Sequence, residues 1–450
     1  MSNPTYRFLA GQGQPDNPQL GPFNLNRYAA GVLYEQANGD FVNVSANTPF
    51  PIAFGNKLAT DAFGRQRTST PTTLFNSKQL FSNLPLFWDD QEVSGSGTSS
   101  VHSSARASSV MSVTDSTAGK RVRQTFQRFN YEPGKSQLIL QTANLAGVLG
   151  TGVQAAVGMF DDNNGLFWEY DNGTIYACVR SSTTGSAVTT RVPQSEWSND
   201  KLDGSGPSGV TLDPTKSQIL GIDFEWLGVG TVRYFIVVDE VFVLAHEQHH
   251  ANRAAGVYMS TPNLPLRFEI ENDGTGSAAS VEQICSTVIS EGGLQPTGQL
   301  HYASTDGTLR NFNSVGQLYP IMGLRLKADA IGESVDIDYQ SINALTNDDF
   351  EWVIAFNPTI TGTNGTWTAR PNSACEVYVN DATTPDTVSA TGQSMAGGYG
   401  SANSSESASL RNALRLGAAI DGTVDEIYLC IRPITANADF LAGIGWRELS

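Results

Sequence analysis

The residues most suggestive of chemistry are His246-Glu247-Gln248-His249-His250, which satisfy the H-E-x-x-H pattern of zinc proteases. That pattern works on a helix, where residues i and i+4 share a face and lie about 6 Å apart. Here the run continues the alternating stretch 237–245, which reads as a strand. On a strand, i and i+4 also share a face but stand about 13 Å apart, at roughly 3.3 Å per residue. One zinc ion cannot span that distance. The run is therefore read as a strand end entering a polar loop, and no metal site is assigned.

Asp223 and Glu225 lie two apart in Ile222-Asp-Phe-Glu-Trp226. Paired strand carboxylates can hydrolyse glycosides when they stand about 5 to 5.5 Å apart. The same spacing is also what the polar face of an amphipathic strand needs, and that reading is preferred. Asp161-Asp-Asn-Asn-Gly165 has the composition of a calcium loop but lacks the EF-hand spacing and its late bidentate Glu, so it reads as a turn. Gly134-Lys135-Ser136 lacks the first glycine of a P-loop, since position 129 is Phe. His102 and His301 have no nucleophile elbow nearby. Trp168, Tyr170, Trp197 and Tyr258 could stack sugars if exposed, but aromatics in strands are more often core. No catalytic, cofactor-binding or metal-binding residue is assigned.

Cys178, Cys285, Cys375 and Cys430 form no C-x-x-C pair and fit no zinc-ribbon spacing. Each sits in or beside an apolar stretch, so buried, reduced thiols are expected.

The elements that would position these residues read as β throughout. The chain has 450 residues, 16% of them charged, and 44 glycines. A typical globular domain carries about 25% charged residues. Ser, Thr, Asn and Gly fill the deficit, which suits short strands and tight turns. Gly165–Tyr170 and Thr174–Arg180 read as a hairpin around Asp171-Asn-Gly173. Residues 219–227, 231–238 and 241–245 read as a meander with its last turn at Asp239-Glu240. Alternation of apolar residues with acids, as in 222–226 and 266–271, marks strands with one buried face. After Glu291-Gly-Gly293 the pattern restarts, with strands expected at 319–327, 334–339, 351–356, 375–379 and 426–432, a Gly/Ser loop at 395–405, and one short helix at 407–416.

The fold expected is all-β: two consecutive jelly-roll-like β-sandwiches, 119–293 and 294–450, preceded by an extended N-terminal arm. The arm, 1–57, is rich in Pro, Gly and Asn and holds a small hairpin around Asn38-Gly39. Residues 58–118 read as a docking and linker segment.

The net charge of −17 argues against a nucleic-acid partner, because phosphate binding needs Lys and Arg. No run of about 18 apolar residues suggests membrane insertion. Residues 1–21 lack the apolar core of about 7 to 15 residues that a secretory signal needs. Folding in a cytosol is expected, with departure as part of a particle or by lysis.

Several segments resemble a series found in tailed-bacteriophage virion structural proteins. They are Asp61-Ala-Phe-Gly-Arg-Gln-Arg67, Thr73-Leu-Phe-Asn-Ser-Lys-Gln79, Pro85-Leu-Phe-Trp-Asp89, Arg121-Val-Arg-Gln-Thr125 and Tyr131-Glu-Pro-Gly-Lys-Ser-Gln137. Further members are Gly158-Met-Phe-Asp-Asp-Asn-Asn-Gly165, Glu225-Trp-Leu-Gly-Val-Gly230, Tyr258-Met-Ser-Thr-Pro-Asn-Leu-Pro265 and Ile284-Cys-Ser-Thr-Val-Ile-Ser-Glu-Gly292. The resemblance covers about 58–293 and returns at 416–422 and 445–448. It implies a fibre-like or decoration component of tail or head, with no catalytic residues or cofactors. The partners implied are other virion proteins, contacted through residues 1–118. The chain is expected to be a homo-oligomer, most simply a trimer, localised to the virion after assembly in the host cytoplasm. A host surface glycan is an additional contact under this reading. The alternative is a carbohydrate-binding or glycan-depolymerising β-sandwich protein. A groove with exposed aromatics and converging carboxylates would favour that alternative, and a flat contact surface the virion reading.

Overall fold

The computed structural model describes residues 33–35, 41–43, 61, 70–145, 150–293, 297–344, 349–401, 403–408, 415–434 and 438–449. The chain divides into two compact units, Met1–Ala59 and Thr60–Ser450. In the first, Leu33–Glu35 and Phe41–Asn43 pair antiparallel, with Glu35 opposite Phe41. This is the hairpin expected from Asn38-Gly39, though that turn and the rest of the arm lie outside the described residues.

The second unit is all-β and antiparallel. Among the described residues its helical content is one 3-10 turn, Gln194–Glu196. No helix among them is long and apolar enough to cross a membrane.

The first sandwich packs two sheets. One sheet runs, in spatial order, Val188–Pro193, Thr174–Ser181, Gly165–Asp171, Val153–Phe160, Leu266–Asn272, Gly119–Thr125, Trp88–Gly95. The other runs Val241–His249, Thr231–Val238, Ser217–Phe224, Gln137–Asn144, Ala279–Ser290, Ser108–Val113, Thr98–Ser103, with Thr72–Lys78 also pairing the Ala279–Ser290 strand. The expected hairpin turns are present. Asn172 and Gly173 take φ of 49° and 79°, and Asp239 and Glu240 take 48° and 65°. Two consecutive positive φ values match the right-handed strand twist in a two-residue hairpin. Between the sheets lie Trp88, Met111, Phe129, Trp168, Phe224, Tyr234 and Phe268, all buried. Burying such a side chain contributes about 1.5 to 3 kcal/mol.

Residues 58–118 differ from the docking segment expected. They supply four strands to the two sheets. Phe75 and Trp88, expected to dock on a partner, sit edge-on to each other in the core with centroids 6.0 Å apart. The segment also holds a hairpin, Thr98–Ser103 against Ser108–Val113. Ser108 and Ser109 are buried, and Ser108 donates to Glu282 at 2.6 Å and Ser109 to Asn83 at 2.9 Å.

The second sandwich spans Gln299–Leu449. One sheet is Thr366–Ala369, Cys375–Val379, Tyr319–Leu326, Glu426–Pro433, Phe350–Phe356, Gln393–Gly400. The facing sheet is Gln299–Ser304, Ala438–Leu449, Ser334–Ala344, Ser405–Ala408, with two short strands, Arg310–Phe312 and Arg415–Leu416, added along it. The Gly/Ser segment expected as a loop at 395–405 is largely strand. Gly398 and Gly400 lie opposite Trp352 and Phe350; a Cβ at Gly400 would collide with the Phe350 ring, and one at Gly398 would crowd the Trp352 ring at 3.0 Å. Glycine there makes room for aromatics; it does not signal a loop. The short helix expected at 407–416 is replaced at both described ends by strands, Ser405–Ala408 and Arg415–Leu416; residues 409–414 lie outside the described set.

Residues 417–425 form a finger from the second sandwich that touches the first. The Ala418 amide donates to Phe126 O at 3.1 Å, and the Ile420 amide donates to Asp89 Oδ2 at 2.7 Å. Gly417 lies so close to the Phe126 backbone that any Cβ would strike it.

Candidate functional site

Strand alternation puts Asp223 on the face opposite the core residues Ile222 and Phe224, and that face is covered, not wet. It is fully buried, bonded to Ser136 Oγ, with Arg233 Nη1 3.3 Å away. The register explains the pair, since Asp223 and Arg233 are cross-strand neighbours. Arg233 also faces Glu247 at 3.5 Å and donates to Asp61 O at 2.5 Å. Glu225 is buried and accepts from the Thr231 amide at 3.3 Å. A glycosidase needs one carboxyl to give a proton to substrate and the other to attack or activate water. Asp223 is instead committed to a buried guanidinium.

The H-E-x-x-H run occupies the end of the Val241–His249 strand. His246 stacks on Tyr234 at 6.3 Å and its Nδ1 accepts from the Ser198 amide at 3.2 Å. Burial holds the His246 imidazole below its usual pKa. His249 faces Thr231, and His250 lies flat on Tyr258 at 4.2 Å with Nδ1 2.7 Å from Gly230 O. Each histidine has a separate structural partner. Among the described residues no group of three or more His, Cys, Asp or Glu is placed to hold a metal ion.

The other candidates also resolve into local structure. Asp161 caps its own turn, accepting at 2.8 Å from the amides of both Asn163 and Asn164, and pairs with Arg128 at 2.6 Å. Lys135 bonds Glu132 and donates to Gly293 O at 3.0 Å. His102 faces Gln79 O at 2.9 Å, and His301 stacks on Trp446 at 5.5 Å. Trp168, Tyr170, Trp197 and Tyr258 are all buried, so none presents a face to a sugar. All four cysteines are unpaired thiols. Cys178, Cys375 and Cys430 are buried, and burial raises their pKa. Cys285 departs from expectation in being only half-buried.

The largest of the cavities described, about 680 Å³, lies where the two sandwiches meet. Phe126 of the first sandwich forms one wall. Arg325, Leu326, Asn357, Pro358, Glu376 and the 422–426 end of the finger form the rest. Register builds its charged floor, because Arg325 is the cross-strand neighbour of both Glu376 and Glu426. The guanidinium bonds each carboxylate at 2.8 Å and lies 4.2 Å over the Trp367 ring. Asp425 is buried, accepting from Asn357 Nδ2 at 2.9 Å and the Gly417 amide at 3.1 Å. Burial pushes its carboxyl up to about 6 against those hydrogen bonds, and the Asp89 charge adds to the rise. None of these residues was singled out from the sequence. Their only linear signal is adjacent acids at 425–426, and the Arg325 row appears only once strands are in register.

No family model and no curated protein matches the sequence. Some solved structures are distantly similar to about half of it. A glycoside hydrolase family 16 endo-glucanase from Bacteroides ovatus is 10% identical with a TM-score of 0.33, covering 48% of this chain and 99% of its own. The CBM2 module of the evolved Dit of Lactobacillus casei BL23 phage J-1 is 6% identical with a TM-score of 0.32, covering 50% and 98%. A legume lectin-like domain from Entamoeba histolytica is 9% identical with a TM-score of 0.29, covering 48% and 97%. Likenesses this distant carry no functional argument.

Proposed function

We propose that this chain is a non-catalytic structural protein of a bacteriophage particle surface, a fibre or decoration component of tail or head. Its sequence resembles virion proteins across residues 58–293. The observation that carries the non-catalytic part is Asp223, buried and paired with Arg233. Residues 1–57 attach it to other virion proteins, and the protein assembles as a homotrimer, since closed symmetry is usual for such parts. Residues 72–113 also serve the first sandwich as strands, and the deletion below tests the arm's share of the attachment. Deleting residues 1–57 is expected to leave a soluble, folded protein that no longer enters particles. Incorporation of the truncated chain at normal copy number would overturn the assignment.

A carbohydrate-binding role is the second reading. The open cavity between the sandwiches favours it, with aromatic and carboxylate groups on one wall-and-floor arrangement. Screening the full-length chain against an array of neutral and acidic glycans tests this reading, and an array without signal removes it.

A further inference from the structure

The inter-sandwich cavity allows the carbohydrate-binding reading, on which this inference rests, to be narrowed to a ligand class. We infer that the cavity receives an uncharged saccharide unit, with a sugar face against Phe126 and hydroxyls donating to Glu376, Glu426 and Asp425. Its volume of about 680 Å³ falls in the roughly 300 to 1,000 Å³ range of small-molecule sites, which favour domain interfaces.

Charge selects against anions. Three carboxyls and one guanidinium line the site. Arg325 spends its Nε and terminal nitrogens on Glu376 and Glu426 and its flat face on Trp367. What the cavity offers instead is fixed acceptors. Glu426 Oε1 takes Arg325 and Oε2 takes the Tyr428 hydroxyl, both at 2.8 Å. A carboxylate has about four lone-pair sites, so each oxygen keeps capacity for a ligand O–H. These pairings also hold the carboxylates in place before any ligand arrives, which lowers the ordering cost of binding. Phe126 is half-buried, and Leu326, Pro358 and Val424 add apolar surface. Hydroxyl donors beside apolar ring faces are the chemistry of a neutral sugar.

The test is ligand-observed NMR on the full-length chain with glucose, galactose and N-acetylglucosamine. Galacturonate and spermidine serve as charged probes. At least one neutral sugar should bind, with an affinity insensitive to salt. Ala328 is exposed on the cavity rim, so Ala328→Trp should block the site without unfolding the protein and cut binding at least tenfold. Glu376→Gln, which keeps the side-chain size, should weaken it as well. Neutral-sugar binding unchanged in Ala328→Trp would overturn the cavity assignment while leaving glycan binding intact. Absence of any neutral-sugar binding, in NMR and on the array, would sink both. Salt-sensitive binding of spermidine alone would make this a cation site and overturn the inference.

Discussion

Asp89 and Ile420 stand 331 residues apart in the chain, yet the Ile420 amide donates to Asp89 Oδ2 at 2.7 Å. Together with Ala418 on Phe126, this bond ties the finger of the second sandwich to the first. A hydrogen bond to a charged acceptor is worth about 1.5 to 3 kcal/mol. Asp89→Ala is therefore expected to destabilise the protein by about that much. In calorimetry the substitution should separate one cooperative transition into two, because the sandwiches have distinct cores. A single unshifted transition would show that the finger does not couple them.

Asp425 makes stability depend on pH. Its folded carboxyl titrates near 6 and its ordinary value is 3.8. The folded state thus holds the proton more tightly than the unfolded one. The stabilisation is fully present below about pH 4 and is lost as pH rises through 6. At 1.36 kcal/mol per unit the loss is about 2 to 3 kcal/mol. The charge acting on this group is Asp89, and Arg325, Glu376 and Glu426 line the same cavity. Asp425→Asn should remove this component, so the difference between parent and variant unfolding curves should grow between pH 4 and 7. A difference independent of pH would refute the assignment.

The Asp223–Arg233 pair separates a structural from a catalytic role. Removing one partner of a buried ion pair leaves an uncompensated charge and costs about 3 to 5 kcal/mol. Glu247 also faces Arg233, so Asp223→Ala should fall near the lower end of that range in urea denaturation. A catalytic acid would be expendable for stability, and a variant as stable as the parent would reopen that reading.

Much of the architecture was legible from residue order. Period-2 alternation located the 165–180 hairpin, the 219–245 meander and the strands Tyr319–Leu326, Phe350–Phe356, Cys375–Val379 and Glu426–Pro433. Ser334–Ala344 runs five residues past its expected end, and Gln299–Ser304 and Ala438–Leu449 were not anticipated. The strand assignment also removed the zinc reading of His246–His250, because only a helix brings such residues together. Two features were hidden. Gly398 and Gly400 read as loop because their purpose, clearance for Trp352 and Phe350, belongs to a neighbouring strand. Strands at 98–113 were masked by their serines, of which Ser108 and Ser109 are buried and bonded to Glu282 and Asn83. The junction cavity was illegible for the same reason, since Arg325, Glu376 and Glu426 are brought together by register and Phe126 by contact between sandwiches. At Asp223 the alternation gave the correct face, but Arg233 covers that face, so the acid is paired and not solvated.

The account's central claim concerns where the protein resides. Quantitative mass spectrometry of purified particles from a phage encoding the chain tests it most directly. The protein should be present at a fixed copy number per particle, in constant ratio to other virion components across preparations and resistant to salt washing. Particles that carry none of it, or carry it only in traces that wash away, would contradict the account.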